Sequence, residues 1–208
     1  MIKLGVVALQ GAVSEHVELL KAALSKLGLD GAVELIKKPA ELDRVQGIVI
    51  PGGESTVIGR VAERTGLLKA LRERIEGGLP AFGTCAGAIL LAKEVYDAKL
   101  GKVQQPLIGV MDIKVVRNYY GRQKESFEVD LEIPAIGGRP FRGVFIRAPV
   151  IEAVGSKVKV LAVYEGFPVL VQQDKMLAAT FHPELTSDTR VHEYFVKMCW
   201  AEKPRAVL

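Results

Sequence analysis

One cysteine stands in a setting that could make its thiol a nucleophile. The segment PAFGTCAGAILLAKE places Cys85 between a short apolar run (80–82) and a predicted helix, in a Gly-x-Cys-x-Gly pattern. Hydrolases with an α/β fold carry their nucleophile in such a turn, where glycines avoid clashes between strand and helix. The helix N-terminus favours the thiolate, and the N–H of Ala86 is placed to bind an oxyanion. The pattern predicts a nucleophile; a cysteine that only packs in the core is the alternative.

The second cysteine, Cys199, lies in VKMCWAE near the end of a predicted helix. It has no glycine turn and no candidate base beside it, so packing is the favoured interpretation. Two cysteines do not make a disulfide framework, and the N-terminus MIKLGVVALQG does not read as a signal peptide. We therefore expect a reducing, cytoplasmic environment.

A thiol nucleophile needs a base, and the sequence offers three histidines, His16, His182 and His192. His182 lies in ATFHPEL, where Glu184 follows two residues later and falls on the same side of an extended chain. Glu184 can then hold one imidazole nitrogen while the other faces the thiol. The spacing predicts a Cys85–His182–Glu184 triad; a surface His-Pro-Glu turn is the alternative.

The other two histidines are not expected to be catalytic. His192 is predicted to lie on the solvated face of the last helix. His16 ends the segment LQGAVSEH (9–16), at the start of the first predicted helix, and this segment is a candidate for contact with a partner.

The first half of the chain alternates apolar strands with helices. Strands are predicted at 3–9, 32–37, 47–51 and 80–83, and helices at 13–27, 55–76 (broken near Gly66) and 86–95. Strands that are nearly all apolar and alternate with helices are typical of a parallel sheet covered on both faces. The sequence therefore predicts an α/β fold with a mainly parallel central sheet.

The second half reads mainly as strands with short turns. They are predicted at 112–117, 125–133, 143–148, 158–164, 168–172 and 177–181. Some are expected to form antiparallel hairpins at one edge of the sheet. A closing helix is predicted at 187–200, with Ser187 as its N-cap. No long linker interrupts the chain, so residues 1–208 are expected to form a single domain.

Composition limits the classes of function. Of the 208 residues, 49% are hydrophobic and 25% charged, as in a soluble globular protein. The net charge of +4 is small and scattered, which argues against nucleic-acid binding. No apolar run reaches the length of about 18 residues that a membrane span requires. The Cys and His residues lack metal-ligand spacing, so we expect no metal site.

The elbow cysteine, the later HPE and the earlier PGGES (51–55) resemble class I, or triad, glutamine amidotransferases. Further blocks resemble the family of glutaminase subunits of pyridoxal 5′-phosphate synthase. These blocks are ALQGAVSEH (8–16), PGGEST (51–56), FGTCAG (82–87), RNYYGRQKESFE (117–128), GVFIRAP (143–149) and FHPEL (181–185). Other glutamine amidotransferases share the elbow and the HxE but not the first and fourth blocks.

This resemblance implies a flavodoxin-like, three-layer fold. It also implies that the protein hydrolyses L-glutamine to L-glutamate and ammonia without a cofactor. The ammonia would pass to a separate synthase barrel, which builds pyridoxal phosphate, so the expected assembly is a hetero-oligomer.

The resemblance also implies roles for individual residues. Those expected to contact glutamine are Gly53, Glu54, Ser55, Arg117, Ile146 and Arg147. The Gly52–Gly53 turn and Ala86 would supply the oxyanion hole, and Gln10 and His16 would lie at the partner interface. Arg117 can pair with the α-carboxylate of glutamine, a strong charge-assisted contact. Two plainer readings stay open: Ser55 or Thr56 as a helix N-cap, and Arg147 as a structural ion-pair residue.

Three rival functions remain to be weighed. One is a triad amidotransferase subunit that serves histidine or purine synthesis, against which blocks 8–16 and 117–128 argue. Another is a glutamine-sensing or scaffold subunit without catalysis, which a missing triad residue would favour. The third is a cysteine hydrolase of peptides or small esters, which need not carry PGGES.

Overall fold

The computed structural model describes residues 1–120 and 126–201. Its helices are α1 (Val13–Lys26), α2 (Ser55–Arg64), α3 (Leu67–Glu76), α4 (Ala86–Leu91) and α5 (Arg190–Trp200). Its strands are β1 (Ile2–Val7), β2 (Gly31–Ile36), β3 (Ile48–Ile50), β4 (Ala81–Thr84), β5 (Ala92–Asp97), β6 (Gly101–Lys102), β7 (Met111–Arg117), β8 (Ser126–Leu131), β9 (Phe141–Ile146), β10 (Val150–Val154), β11 (Lys159–Tyr164), β12 (Phe167–Gln173) and β13 (Met176–Ala179).

The central sheet has seven strands in the order β11-β12-β13-β4-β3-β1-β2. The five strands from β13 to β2 are parallel, and β12 and β11 continue the sheet in antiparallel pairing. The predicted α/β fold, with a mainly parallel sheet and added antiparallel strands, is therefore confirmed.

Alternating side chains of the strands feed two separate cores, one on each face of the sheet. In β3, Ile48 and Ile50 join the core that includes α2, α3 and α4, whereas Val49 joins the core that includes α1 and α5. Such near-continuous apolar strands are what a sheet buried on both faces requires. The result is three layers, and the carboxyl ends of β3, β4 and β13 meet at one edge.

The strands of the second half do not all extend the central sheet. Four of the strands form a second sheet in the order β10-β7-β5-β6, and β8 and β9 form a two-stranded ribbon. Strand β10 was not predicted from the sequence. The strand predicted at 125–133 corresponds to β8, which the structure describes from Ser126 to Leu131. Residues 121–125 of the block 117–128 lie outside the described residues.

The helix predicted at 86–95 is wrong in its second half. Helix α4 ends at Leu91, and the next six residues form β5, which pairs in parallel with β7. This pairing places Asp97 opposite Arg117 at the ends of the two strands. Long-range pairing has overridden the helix preference of residues such as Lys93 and Glu94.

The last helix begins later than predicted. Its first residue is Arg190 and Thr189 occupies the N-cap position, so Ser187 is not the cap. Among the described residues, no helix is long and apolar enough to cross a membrane.

Candidate active site

Cys85 occupies a turn that only its neighbouring glycines permit. Strand β4 ends at Thr84 and α4 begins at Ala86, which leaves Cys85 with φ 48° and ψ −101°. A Cβ on Gly83 would lie 2.5 Å from the carbonyl carbon of Gly87, and a Cβ on Gly87 would overlap a backbone oxygen of β3. A positive φ at a non-glycine residue costs about 1–3 kcal/mol and is typical of functional sites.

His182 and Glu184 follow β13, which lies beside β4 in the central sheet. The Nδ1 of His182 lies 2.7 Å from Oε1 of Glu184, and both side chains are buried. Burial lowers the pKa of His182, but the hydrogen bonds with Cys85 and Glu184 outweigh it and raise that pKa to about 10. His182 is therefore held as an imidazolium beside the thiol, which favours the thiolate.

The Gly52–Gly53 turn packs directly against these groups. A Cβ on Gly52 would overlap the imidazole of His182, and one on Gly53 would lie 2.5 Å from Oε1 of Gln10. The turn is fixed by two bonds: Ala12 N–H donates to the Gly52 carbonyl at 3.1 Å, and Glu54 N–H donates to Gln10 Oε1 at 2.8 Å. Gln10, expected at a partner interface, thus also braces the active-site turn.

A pocket of about 330 Å³ opens in front of Cys85. This volume lies at the lower end of the range for small-molecule sites. Its walls contain all six residues expected to contact glutamine, together with the nucleophile Cys85 and the base His182. The lining residues are Gln10, Gly53, Glu54, Ser55, Thr56, Cys85, Ile89, Arg117, Asn118, Ile146, Arg147 and His182.

Three other predicted residues stand behind the pocket wall. Ala86 is almost fully buried at the start of α4, Glu184 lies behind His182, and Gly52 packs on the imidazole ring.

Ser55 is the first residue of α2, and Glu54 rather than Ser55 occupies the N-cap position. The plainer reading of Ser55 or Thr56 as the cap is therefore wrong.

Arg117 is held by three side chains at the pocket wall. Its Nε donates to Asp97 Oδ2 at 3.0 Å, and its Nη1 donates to Thr56 Oγ1 and Gln105 Oε1, also at 3.0 Å. Among the described residues none accepts a bond from Nη2, so this nitrogen is open to a carboxylate ligand. The guanidinium is thus fixed in place before any ligand arrives.

Asp97 is the anchor of this arrangement. Burial raises its pKa, but bonds from the Lys99 N–H, the Asn118 amide and the Arg117 guanidinium outweigh burial and lower the pKa to about 2. The carboxylate therefore keeps its charge in acid as well as at neutral pH. The sequence does not reveal Asp97, because residues 86–95 read as one helix and so hide the strand, β5, that ends at Asp97.

Arg147 and Glu54 face each other at the mouth of the pocket. Arg147 Nη2 lies 3.1 Å from Glu54 Oε1, and their side chains are 65% and 59% exposed. This geometry agrees with the ion-pair reading of Arg147. Exposed pairs contribute at most about 1 kcal/mol, so a charged ligand can separate this one.

His16 and His192 form a buried pair beneath the triad. Both are 0% exposed, and His16 Nδ1 lies 3.0 Å from His192 Nε2. The prediction that His192 is solvated is wrong. The His16 side chain is buried as well, and the placing of its segment at a partner interface stays a prediction. The missed signal was helical spacing, because His192 shares one face of α5 with Phe195, Val196 and Cys199.

Burial is the main cause of the electrostatic state of this pair. It lowers the pKa of His16 well below its ordinary value and that of His192 to about 3, so both rings are neutral.

No group of three or more His, Cys, Asp or Glu side chains within the described part of the chain is arranged to hold a metal ion.

Comparisons with known proteins identify the family of this chain. Residues 6–201 match the SNO glutamine amidotransferase family. The pyridoxal 5′-phosphate synthase subunit PdxT of Sulfolobus acidocaldarius is 56% identical over 194 residues, covering 93% of this chain and 97% of that protein. The PdxT subunit of Saccharolobus solfataricus is 55% identical over 196 residues, covering 94% and 98%.

Solved structures give the same result at the level of the fold. A crystal structure of a glutamine amidotransferase superposes with a TM-score of 0.82 at 46% identity, covering 95% of this chain and 98% of that one. A chain of PurLQS from Thermotoga maritima, with 18% identity and a TM-score of 0.66, shares the fold alone; it covers 97% of this chain and 99% of its own. The chain therefore belongs to the SNO glutamine amidotransferase family.

Proposed function

We propose that this protein hydrolyses L-glutamine to L-glutamate and ammonia and delivers the ammonia to a pyridoxal 5′-phosphate synthase partner. The observation that carries the proposal is the juxtaposition of Cys85, His182 and Glu184 at a pocket of about 330 Å³. The same pocket presents a fixed guanidinium, Arg117, to bind the α-carboxylate of the amino acid.

Binding of glutamine in this pocket is explained by charge and by backbone polarity. Its α-carboxylate pairs with Arg117 Nη2, while its α-ammonium group is read by Glu54 and by backbone carbonyls such as that of Ile146. The side-chain amide then extends toward Cys85, whose Sγ lies 4.0 Å from the Ile146 carbonyl oxygen. Recognition of both charged ends distinguishes an amino acid from a peptide or an ester.

The chemistry begins with the thiolate of Cys85, which the imidazolium of His182 stabilises. The thiolate attacks the amide carbon, and the oxyanion is held by the N–H groups of Ala86 and Gly53. Because Ala12 engages the Gly52 carbonyl, the N–H of Gly53 in the same trans peptide points away from α1. His182 then protonates the leaving ammonia, and as a free base it activates the water that hydrolyses the thioester.

The proposed delivery of ammonia to a synthase is inferred from the names of the relatives. The PdxT proteins of Sulfolobus acidocaldarius and Saccharolobus solfataricus are named as subunits of pyridoxal 5′-phosphate synthase and are more than half identical to this chain. We propose that the present chain also works with a synthase barrel and that docking raises its activity. Gln10 links the segment predicted to dock with the turn that carries the oxyanion donor, since it accepts a bond from Glu54 N–H.

A glutaminase assay tests the substrate and the partner separately. Ammonia release is measured from L-glutamine, D-glutamine, L-asparagine and a small ester, each with and without a pyridoxal 5′-phosphate synthase barrel. We expect turnover of L-glutamine alone, with a higher kcat when the barrel is present. Hydrolysis of the ester in preference to glutamine would contradict the substrate, and equal rates with and without the barrel would contradict the coupling.

A further inference from the structure

The carboxylate of Glu184 is approached from two sides. Its Oε1 accepts the bond from His182, whereas its Oε2 faces the buried ring of His16, with Nε2 at 3.4 Å. The mechanism uses His182 but assigns nothing to His16. A fully buried imidazole placed against the acid of a triad requires a physical account, because a neutral ring of this size is polar at both nitrogens.

His16 also contacts the strand that carries the nucleophile. Its Nε2 lies 3.0 Å from Oγ1 of Thr84, the residue immediately before Cys85. The Nε2 of His16, a residue of α1, therefore lies between Thr84 at the end of β4 and Glu184, which follows β13. The ring is packed edge-on to Phe82 at a centroid distance of 6.2 Å, which restricts its rotation.

The neighbours of His16 determine its tautomer. The pKa of His16 is lowered by burial and by His192 and His182, so the ring carries one proton. A lone pair on Nε2 would point at the acceptor oxygens of Glu184, which is repulsive, so the proton belongs on Nε2. Nδ1 is then an acceptor and must receive the Nε2–H of His192, 3.0 Å away.

This tautomer gives a consistent chain of donors across the interior. His192 donates to His16, and His182 donates to Glu184 Oε1. The His16 Nε2–H donates to Thr84 Oγ1 at 3.0 Å, and 3.4 Å from the same nitrogen lies Glu184 Oε2, a buried oxygen that accepts no hydrogen bond among the described residues. The Nδ1 of His192 is left as a bare acceptor without a partner among the described residues, which costs less than a buried N–H in that position.

We propose that His16 is a positioning residue: its Nε2–H attracts the otherwise unpartnered Oε2 of the Glu184 carboxylate, 3.4 Å away, and so orients His182 toward Cys85, with His192 setting the His16 tautomer. This inference rests on the proposed glutaminase and its triad. A neutral donor suits the task, because it fixes the carboxylate without a second positive charge. The imidazolium of His182 then remains the counter-charge of the carboxylate, and its proton stays directed at the thiol.

A matched pair of variants separates positioning from packing. In His16→Gln the side-chain amide reaches the place of Nε2 and can donate to Glu184. In His16→Asn the amide reaches only the place of Nδ1, so the contact with His192 survives and the donor toward Glu184 is lost. Both replacements are polar and of similar size, so a purely structural role predicts similar behaviour for the two.

Two readouts are followed in each variant. One is kcat and KM for L-glutamine in the complex with the synthase barrel. The other is the rate at which iodoacetamide alkylates Cys85 in the isolated chain, measured against pH, which reports the thiolate without requiring glutaminase activity. Melting temperature gives the folded fraction for each preparation.

We expect His16→Asn to lower kcat about tenfold, as loss of an orienting partner does at metal-ligand histidines, with KM changed less than about twofold. The rate of Cys85 alkylation should also fall in that variant. His16→Gln should restore most of both. Equal kcat and equal alkylation profiles for His16→Asn and wild type, with both proteins folded, would overturn the proposal.

The wild-type protein offers a test that does not depend on any variant. Nitrogen chemical shifts of His16 should show a neutral ring protonated at Nε2, with no titration near the ordinary imidazole pKa of about 6.5. A charged His16, or one protonated at Nδ1, would overturn the assignment. If Cys85→Ala kept the glutaminase activity of the wild type, the triad proposal would fail, whatever the His16 variants did.

Discussion

The two cysteines of this protein are both buried, yet their surroundings differ in every respect that controls a thiol. Cys85 is 7% exposed and Cys199 is 1% exposed. Cys85 sits at a turn with positive φ, faces the pocket and helps to raise the pKa of His182. Cys199 lies inside α5, where burial raises its thiol pKa far above the ordinary range.

The difference teaches that burial alone does not decide what a thiol does. At Cys199 the sulfur lies against Gly47, and burial is the main cause of the raised thiol pKa. Such a cysteine is a small hydrophobic side chain. At Cys85 an imidazolium and a helix N-terminus favour the thiolate, which is the nucleophilic form.

Removal of each thiol in turn should give the largest difference in kcat between the two cysteines. We expect Cys85→Ala to lower kcat for glutamine by at least about 10⁴-fold, because no covalent intermediate can form. Cys199→Ala should keep kcat within about twofold of wild type. Ammonia release with the synthase barrel present measures both. A Cys199→Ala protein that lost activity while folded, or an active Cys85→Ala protein, would break the comparison.

The charge of Glu184 is the next test, because it distinguishes an imidazolium from a neutral imidazole beside the thiol. Glu184→Gln keeps the size of the side chain but removes the negative charge that faces His182 at 2.7 Å. We expect kcat to fall by about 10³- to 10⁴-fold, as when the acid of a serine protease triad is made an amide. Wild-type turnover in this variant would rule out a role for the carboxylate.

The close packing of the Gly-Gly turn on His182 gives a third prediction. A methyl group at Gly52 would overlap the imidazole ring, so Gly52→Ala must displace either the turn or the base. A shift of about 1 Å at a reacting group can lower the rate about 100-fold. The control is Gly137→Ala: Gly137 has a positive φ, so alanine there is strained, but its methyl group meets no atom within 4 Å.

The outcome for Gly52→Ala is read as kcat per folded molecule, with circular dichroism and melting as the measures of folding. Loss of folding without loss of kcat would show that the turn supports the fold rather than the base. Gly137→Ala should lose some stability, because its φ of 63° is unfavourable for alanine, but none of its activity.

The pH dependence of His182 is a smaller effect with a defined sign. Its pKa rises from an ordinary 6.5 to about 10 on folding. The added stability is therefore fully present below about pH 6.5 and is lost as pH rises through about 10. We expect the imidazole signals of His182 to titrate near pH 10 in an NMR experiment, with His182→Gln used to assign them. A midpoint near 6.5 would exclude the imidazolium.

Much of this site was predictable because its residues carry local signals. The glycines around Cys85, the i, i+2 spacing of His182 and Glu184, and the Gly-Gly turn each describe a local backbone geometry. A short stretch of sequence is enough to indicate such a geometry. The confirmed parallel sheet follows for the same reason, since its strands are apolar along their whole length.

The partners of these residues were not predictable, because they come from pairing between distant segments. Asp97 reaches Arg117 only because β5 lies beside β7, and residues 92–97 carry helix formers that hide the strand. His16 meets His192 across 176 positions of the chain. No short pattern encodes such contacts; they emerge when the layers assemble.

The smallest effect concerns the packing around Cys199. Cys199→Ala removes one sulfur atom from a close-packed interior and should lower the free energy of unfolding by about 1 kcal/mol, or the melting temperature by about 2–4 °C. Gly47→Ala should also destabilise the fold, since its new methyl group would overlap the sulfur of Cys199.

The double variant Gly47→Ala/Cys199→Ala sharpens this prediction. The space vacated by the sulfur can receive the new methyl group, so the double variant should lose less stability than the two single losses add up to. A coupling of about 0.5–1 kcal/mol is expected for groups in direct contact. Strict additivity in urea denaturation would mean that the tight contacts of that methyl group with Phe195 and Leu4 limit it instead. In either case Cys199 acts through volume, whereas Cys85 acts through charge.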